Sequence, residues 1–252
     1  MRKVLNPKFE RYTKALDHFI LNYGTQGEPF GTQERNCLRL FKLEDKTLNA
    51  KSFRSPNLIN KIVYKFFRKS KAQRSFEYAL RLEKLGIGTP EPIAFYEIHS
   101  GLFFDKSYYI SEQLEADITY RELTNDFEIP NYEAILRAFT RFTFKLHECG
   151  INFLDHSPGN TLIQYNNGEY NFYLVDLNRI NFESMTLEKR LKNFAKLTIH
   201  KSMIEVMSDE YAKLVNKDYD TILNLMWSET QAFQEVYYRR RRLKKKLKFW
   251  KK

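Results

Sequence analysis

Asp155, Asn160 and Asp176 are the residues whose types and spacing could carry chemistry. Asp155 and Asn160 lie five apart in Phe153-Leu154-Asp155-His156-Ser157-Pro158-Gly159-Asn160, and Asp176 closes the apolar run Phe172-Tyr173-Leu174-Val175. An Asp can accept a hydroxyl proton while an Asn and a second Asp hold Mg²⁺ on nucleotide phosphates, which is how metal-assisted phosphoryl-transfer sites are built. Each residue alone has an ordinary explanation: an Asx turn before a strand for Asn160, a solvated side chain after one for Asp176. Their combination with Asp155 favours the site.

The elements that must position these residues are legible. Asn166-Asn167-Gly168-Glu169 places an Asn-Gly pair between two apolar runs, a strong hairpin signal. With Asn167 and Gly168 as loop residues, 166 pairs with 169 and Asn160 falls opposite Val175, so Asn160 and Asp176 are expected at the hairpin's open end. The helix expected over about Asn131 to Cys149 puts Ile135, Leu136, Phe139, Phe142, Thr143 and Leu146 on one face, and Gly150 is placed to end it. His147 reads as a packed or capping residue rather than a catalyst.

Towards the N-terminus, Gly24, Gly27 and Gly31 precede two strand-like runs, Asn36 to Lys42 and Thr47 to Phe53, joined by Glu44-Asp45-Lys46. A glycine-bearing loop between antiparallel strands can lay backbone N–H groups over phosphates, but the spacing is not G-x-G-x-x-G and glycines are ordinary in turns. Ser70 can cap a helix carrying Phe76, Ala79 and Leu80, with Glu77 beside that stripe, ending at Gly86. Lys51 on its strand and Glu77 on this helix can pair and set the ammonium against nucleotide phosphates; the plainer reading makes Glu77 a surface partner of Arg81. Further strands are expected at Ile93 to Ile98 and Lys106 to Leu114, giving roughly five strands and one helix. The pattern turns helical beyond Glu112, so the expected division is 1–113, 114–236 and a tail 237–252, with a nucleotide in the crevice between the first two. Arg179, just past Asp176, is a candidate for holding a phosphate or an acidic sugar, or a salt-bridge partner of Glu183.

The 252 residues have ample apolar content for a core, and plentiful aromatics exclude a disordered or fibrous chain. Two cysteines, Cys37 and Cys149, fit a reducing compartment and lack metal-ligand spacing. Neither a signal-peptide core nor an apolar run of transmembrane length is present, so a cytoplasmic protein is expected. The net charge of +11 is concentrated in ten Lys or Arg between Tyr237 and Lys252; the remaining residues carry about +1. That distribution argues against a nucleic-acid-binding surface on the fold itself. Leu243, Leu247 and Trp250 give a helical tail an apolar stripe between its basic residues, which suits an anionic membrane surface. A solvated extension and an RNA-binding tail are the competing readings.

Taken together, Lys51, Glu77, Leu146-His147 with Gly150-Ile151, Asp155 with Asn160, Asp176, Val175-Asp176-Leu177-Asn178-Arg179 and Asn193-Phe194-Ala195-Lys196-Leu197 resemble the protein-kinase-like superfamily. Within it they look like the bacterial lipopolysaccharide core kinases, which phosphorylate Kdo (3-deoxy-D-manno-octulosonic acid) or heptose. The resemblance spans about Thr47 to Lys201. It implies an α+β, bilobal protein-kinase-like fold: an N-lobe of antiparallel sheet plus one helix, and a mostly helical C-lobe with the metal-site hairpin. It implies Asp155 as catalytic base, Asn160 and Asp176 as Mg²⁺ ligands, Lys51 as the clamp on the ATP α/β-phosphates with Glu77 as its partner, and Gly31 in the phosphate loop. The His-Arg that precedes the catalytic Asp of protein kinases is Phe153-Leu154 here, Asp-Phe-Gly is Asp176-Leu177-Asn178, and no Ala-Pro-Glu segment follows. These departures argue against a protein substrate. The implied acceptor is a lipopolysaccharide precursor of the Kdo-lipid A type, met at the cytoplasmic face of the inner membrane through residues 239–252. The competing functions are a small-molecule or protein kinase of the same fold and a catalytically silent scaffold.

Overall fold

The computed structural model describes residues 1–31, 36–53, 69–100 and 103–249. It forms two compact units, one comprising Met1–Glu115 with Tyr173–Arg179, the other Ala116–Phe172 with Ile180–Lys252.

The first unit is built on a six-stranded sheet of order β1-β5-β6-β4-β3-β2. Its strands are β1 (Arg2–Leu5), β2 (Glu28–Phe30), β3 (Cys37–Leu43), β4 (Lys46–Phe53), β5 (Pro92–Ser100) and β6 (Phe103–Glu112), and their pairings are antiparallel. Side chains alternate between the two faces. Phe41, Leu43, Leu48, Ala50, Tyr96 and Ile110 turn to one face, where Leu16 and Ile20 of α1 (Thr13–Leu21) cover them. Phe53 and Phe95 turn to the other, against Ala72 and Phe76 of α2 (Lys71–Lys84). Ser70 caps α2 by accepting from Gln73 N at 3.0 Å, and Gly86 follows its end at φ 64°.

This part differs from the sequence expectation of five strands and one helix. α1 is a second helix whose fully inward positions are only Leu16 and Ile20, too short a stripe to stand out. β2 holds three residues with Pro29 in the middle, tolerated because β2 is an edge strand.

The second unit packs α3 (Tyr120–Asn125), α4 (Tyr132–Glu148), α5 (Leu187–Asn193), α6 (Lys201–Val215) and the first half of α7 (Tyr219–Phe249) around one core. α4 buries Ile135, Leu136, Phe139, Thr143 and Leu146, and Gly150 follows at φ 66°. Two small sheets complete it: β8 (Ile151–Phe153) with β11 (Ile180–Phe182), and the order β10-β9-β7 formed by β7 (Ile118–Thr119), β9 (Thr161–Asn166) and β10 (Glu169–Leu174). Asn167 and Gly168, at φ 53° and 86°, form the two-residue turn expected between β9 and β10. Among the described residues, buried positions on α7 end at Thr230, and Arg239 to Lys246 are exposed.

Candidate active site

Asp176 belongs to the first unit because the chain after β10 is bound there. Leu174 N donates to Gly88 O at 2.9 Å, and Thr89 Oγ1 donates to Leu174 O at 2.9 Å. Asp176 stands at φ 60°, a left-handed backbone that costs an L-residue roughly 1–2 kcal/mol and that Asp tolerates better than most. Its Oδ1 accepts from Lys51 Nζ at 2.7 Å and from Asn178 Nδ2 at 2.7 Å. Asn178 is buried, so this bond fixes the carboxylate's orientation and leaves Oδ2 for another partner.

The expected pairing of Lys51 with Glu77 is not the one formed. Lys51 pairs with Asp176, while the Glu77 carboxylate is held by Lys69 Nζ at 2.7 Å and by Gln73 Nε2 at 2.9 Å, one helical turn back on α2. Glu77 has two donors of its own next to it, and among the described residues the carboxylate that pairs with Lys51 is that of Asp176. Arg179 is exposed.

Lys51 also defines a face. Directly opposite strand residues share a side of the sheet, and Lys51, Asn49 and Thr47 oppose Leu38, Leu40 and Lys42. Leu40, Lys42 and Thr47, with Glu28, Phe30 and Gln113, line a pocket of about 680 Å³. From Thr47 to Lys51 the strand runs roughly 13 Å at about 3.3 Å per residue, comparable with an extended nucleoside triphosphate. Gly27, at φ 78°, borders this pocket; a Cβ there would meet Phe41 Cζ at 2.7 Å and Leu40 O at 3.0 Å. Gly31 lies at φ 72° beyond β2, and residues 32–35, which follow it, fall outside the described residues.

Asp155 and Asn160 lie in the second unit, in a loop after β8 made of two turns. His156 N donates to Phe153 O at 3.1 Å, and Asn160 N donates to Ser157 O at 3.0 Å. Three successive carbonyls of this loop each accept a side-chain donor. Phe153 O accepts from Asn193 Nδ2 at 2.9 Å, Leu154 O from Lys196 Nζ, and Asp155 O from Asn160 Nδ2 at 2.8 Å. The last bond turns the amide oxygen of Asn160 away from Asp155, leaving a hard oxygen donor.

Asn193, at the end of α5, is the hub. Its Nδ2 also reaches Asn152 Oδ1 at 3.2 Å, and its Oδ1 faces His156 Nδ1 at 3.0 Å and His147 Nε2 at 3.4 Å. His147 Nδ1 bonds the Tyr211 hydroxyl at 2.8 Å. Burial pushes the His156 imidazolium down to about 4; burial, with repulsion from His156, takes His147 to about 3. Both rings are therefore neutral at physiological pH. His147 is packed, as its place on the helix implied. The roles of Asn193, Lys196 and Asn178 were not read from sequence. Their signal was slight: Asn193 and Lys196 are polar residues three apart in an otherwise apolar stretch.

The chain thus has a lysine–aspartate pair, a pocket of about 680 Å³ partly lined from the same face of the sheet as Lys51, and an Asp–Asn loop braced by Asn193, His156 and Lys196. A model of the lipopolysaccharide kinase (Kdo/WaaP) family matches residues 24–224. The chain belongs to that family. It is accordingly an ATP-dependent kinase acting on an alcohol group, of the class that modifies the lipopolysaccharide core. Among solved structures it is similar to WaaP in complex with acyl carrier protein, at 18% identity and TM-score 0.64, with 94% of this chain and 100% of that one covered. At that identity the likeness concerns the fold, which is α+β and kinase-like. No curated protein matches.

Among the described residues, no group of three or more His, Cys, Asp or Glu could hold a metal ion unaided. Asp176 Oδ2 and the Asn160 amide oxygen are each hard oxygen donors, the kind that Mg²⁺ takes alongside water and phosphate.

Proposed function

We propose that this kinase transfers the γ-phosphoryl group of ATP to a hydroxyl of Kdo or heptose in the lipopolysaccharide inner core, on a precursor of the Kdo-lipid A type. The observation that carries the reading is the Asp155–Asn160 loop, whose backbone is fixed carbonyl by carbonyl by Asn193, Lys196 and Asn160.

In this reading Asp155 orients the acceptor hydroxyl and takes its proton as the new bond forms. Lys51 leaves Asp176 for the α/β-phosphates, with the purine towards Leu40, Thr47 and Gln113, and Gly31 lies in the loop over the phosphates. Asp176 and Asn160 hold Mg²⁺, which neutralises charge on the transferring phosphoryl group. Arg179 meets an anionic part of the acceptor, and Glu77 stands by as a second partner for Lys51.

The end of α7 supports a membrane-borne acceptor at the cytoplasmic face of the inner membrane. Tyr237, Tyr238 and Leu243 are exposed there among Arg239 to Arg242 and Lys244 to Lys246. Each basic side chain near an anionic leaflet contributes on the order of 1 kcal/mol, so a third of them suffices for attachment. Among the described residues no helix is long and apolar enough to cross a membrane. Trp250, part of the expected stripe, lies outside the described residues.

The deciding experiment incubates the purified protein with Mg-ATP and Kdo-lipid A and reads the acceptor by mass spectrometry. Wild type should add one phosphate-sized increment and Asp155→Ala none. If neither transfers while both bind ATP, the scaffold reading replaces this one. Deleting residues 239–252 should weaken co-sedimentation with anionic vesicles and reduce its salt sensitivity; unchanged sedimentation removes the membrane argument.

A further inference from the structure

Arg121 is the second residue of α3, and its surroundings are unusual for a surface arginine. The helix start is fixed by a capping box between Thr119 and Glu122, in which Glu122 Oε2 accepts from Thr119 N at 2.6 Å, and by the fully buried Tyr120 and Leu123. Glu122 is thereby occupied. The Arg121 guanidinium lies against the backbone of Gly159: a Cβ on Gly159 would stand 2.5 Å from Nη2, 3.3 Å from Cζ and 3.6 Å from Nε. Gly159 is not in the left-handed region, so glycine at this position answers to space rather than to backbone conformation.

Gly159 is the residue before Asn160 and four after Asp155. A permanent cation with planar, forked donors is thus seated on the loop that carries the catalytic carboxylate. Among the described residues no carboxylate pairs with it, whereas Arg137 and Arg141 of the same unit are both paired. Guanidinium geometry matches carboxylate and phosphate oxygens bidentately.

We infer that Arg121 is a specificity-determining residue that binds an anionic group of the acceptor, a carboxylate or a phosphate, close to the hydroxyl that receives the phosphoryl group. The inference rests on the kinase reading above and narrows its acceptor to one bearing a negative charge beside the reacting alcohol. Gly159 keeps the space that the guanidinium occupies.

The test uses the full chain and the variants Arg121→Gln, Arg121→Lys and Gly159→Ala. In the last, the added methyl displaces the end of a flexible side chain, so the fold is retained while Arg121 is pushed away. With Kdo-lipid A as acceptor, Arg121→Gln and Gly159→Ala should raise the acceptor KM by roughly ten- to thirty-fold, the size of one charge-assisted interaction, with kcat changing far less. The KM for ATP should stay where it is, and Arg121→Lys should recover part of the loss. A fall in kcat at constant acceptor KM overturns the proposal. Calorimetric binding of free Kdo, its methyl ester and inorganic phosphate separates the two sources of negative charge and does not depend on turnover. Free Kdo binding better than its ester identifies the carboxylate; binding of inorganic phosphate identifies a phosphate. If wild type binds none of these anions, or Arg121→Gln binds them as tightly as wild type, the inference fails. Intact Arg121-dependent anion binding without phosphate transfer would count instead against the kinase reading.

Discussion

Replacing Asn193 by Ala tests whether the catalytic loop is held from α5. Truncation strips His156 Nδ1, in a fully buried ring, of its 3.0 Å partner, and His156 Nε2 already has none. Leaving one buried imidazole nitrogen without a partner costs about 1–3 kcal/mol. Phe153 O keeps the bond from His156 N, and Asn152 Oδ1 loses the Asn193 donor at 3.2 Å while its Nδ2 keeps Glu183; these losses amount to about 0.5–1.5 kcal/mol each. His147 retains Tyr211. The sum, about 2–6 kcal/mol, lies mostly below the 5–15 kcal/mol typical of folded domains, so the variant should fold. Urea unfolding should show the lower midpoint, and kcat should fall ten- to a hundred-fold, because a displacement of about 1 Å at a reacting centre costs on that order. The KM for ATP should not change. Adding His156→Leu to Asn193→Ala should recover part of the lost stability, since removing both partners of a buried hydrogen bond is cheaper than removing one. An Asn193→Ala protein with wild-type midpoint and kcat, or a double variant less stable by the full sum of the two single effects, would refute the hub.

The same rings make stability depend on pH. His147 and His156 have folded values of about 3 and 4 against about 6.5 in the unfolded chain, which therefore binds more protons in between. Stability should be full above pH 7 and decline as pH falls below 6.5, by about 2 kcal/mol per ring at pH 5. Urea midpoints measured at pH 7.5 and 5 in wild type and in a His147→Gln/His156→Gln protein check this; an equal drop in both contradicts it. Gly27→Ala should lower the melting temperature and raise the KM for ATP, because the new Cβ meets both Phe41 and a backbone carbonyl at a positive φ. Gly24→Ala, with nothing within 4 Å of its Cβ, is the control, and equal effects from the two would sink the argument.

What the sequence disclosed were local features. Asn167-Gly168 forced its turn, Ser70 and Gly86 bounded α2, and the stripe on α4 was long enough to mark its buried face, since each depends on neighbours a few residues away. The pair Lys51–Asp176 is a long-range contact: each side chain has an ordinary local environment, and nothing nearby in sequence indicates which acid the lysine will meet. The expected partner, Glu77, is instead held by Lys69 and by Gln73 one turn before it on α2. Asn193 and Arg121 were missed for a related reason. Their roles are defined by the backbone atoms they rest on, the Phe153 carbonyl and Gly159, and backbone groups leave no trace in residue type except where, as at Gly159, a side chain has been excluded.

The two sets of proposed site residues are held by different physics, and the difference suits the tasks proposed for them. In the proposed reaction Asp155 would present one carboxylate at an unchanging position, and its loop is braced largely by neutral amides and imidazoles whose bonds are buried. In the proposed reaction Asp176 and Lys51 would both change partners when a nucleotide arrives, the lysine to phosphate and the aspartate to metal. Their ion pair has side-chain exposures of 16 and 31%, so water reaches both ends and the pair contributes on the order of 1 kcal/mol. The stronger constraint on Asp176 is the bond from buried Asn178 together with its left-handed backbone, and neither involves Lys51. Phosphate can therefore take the lysine at small cost while the aspartate stays aimed.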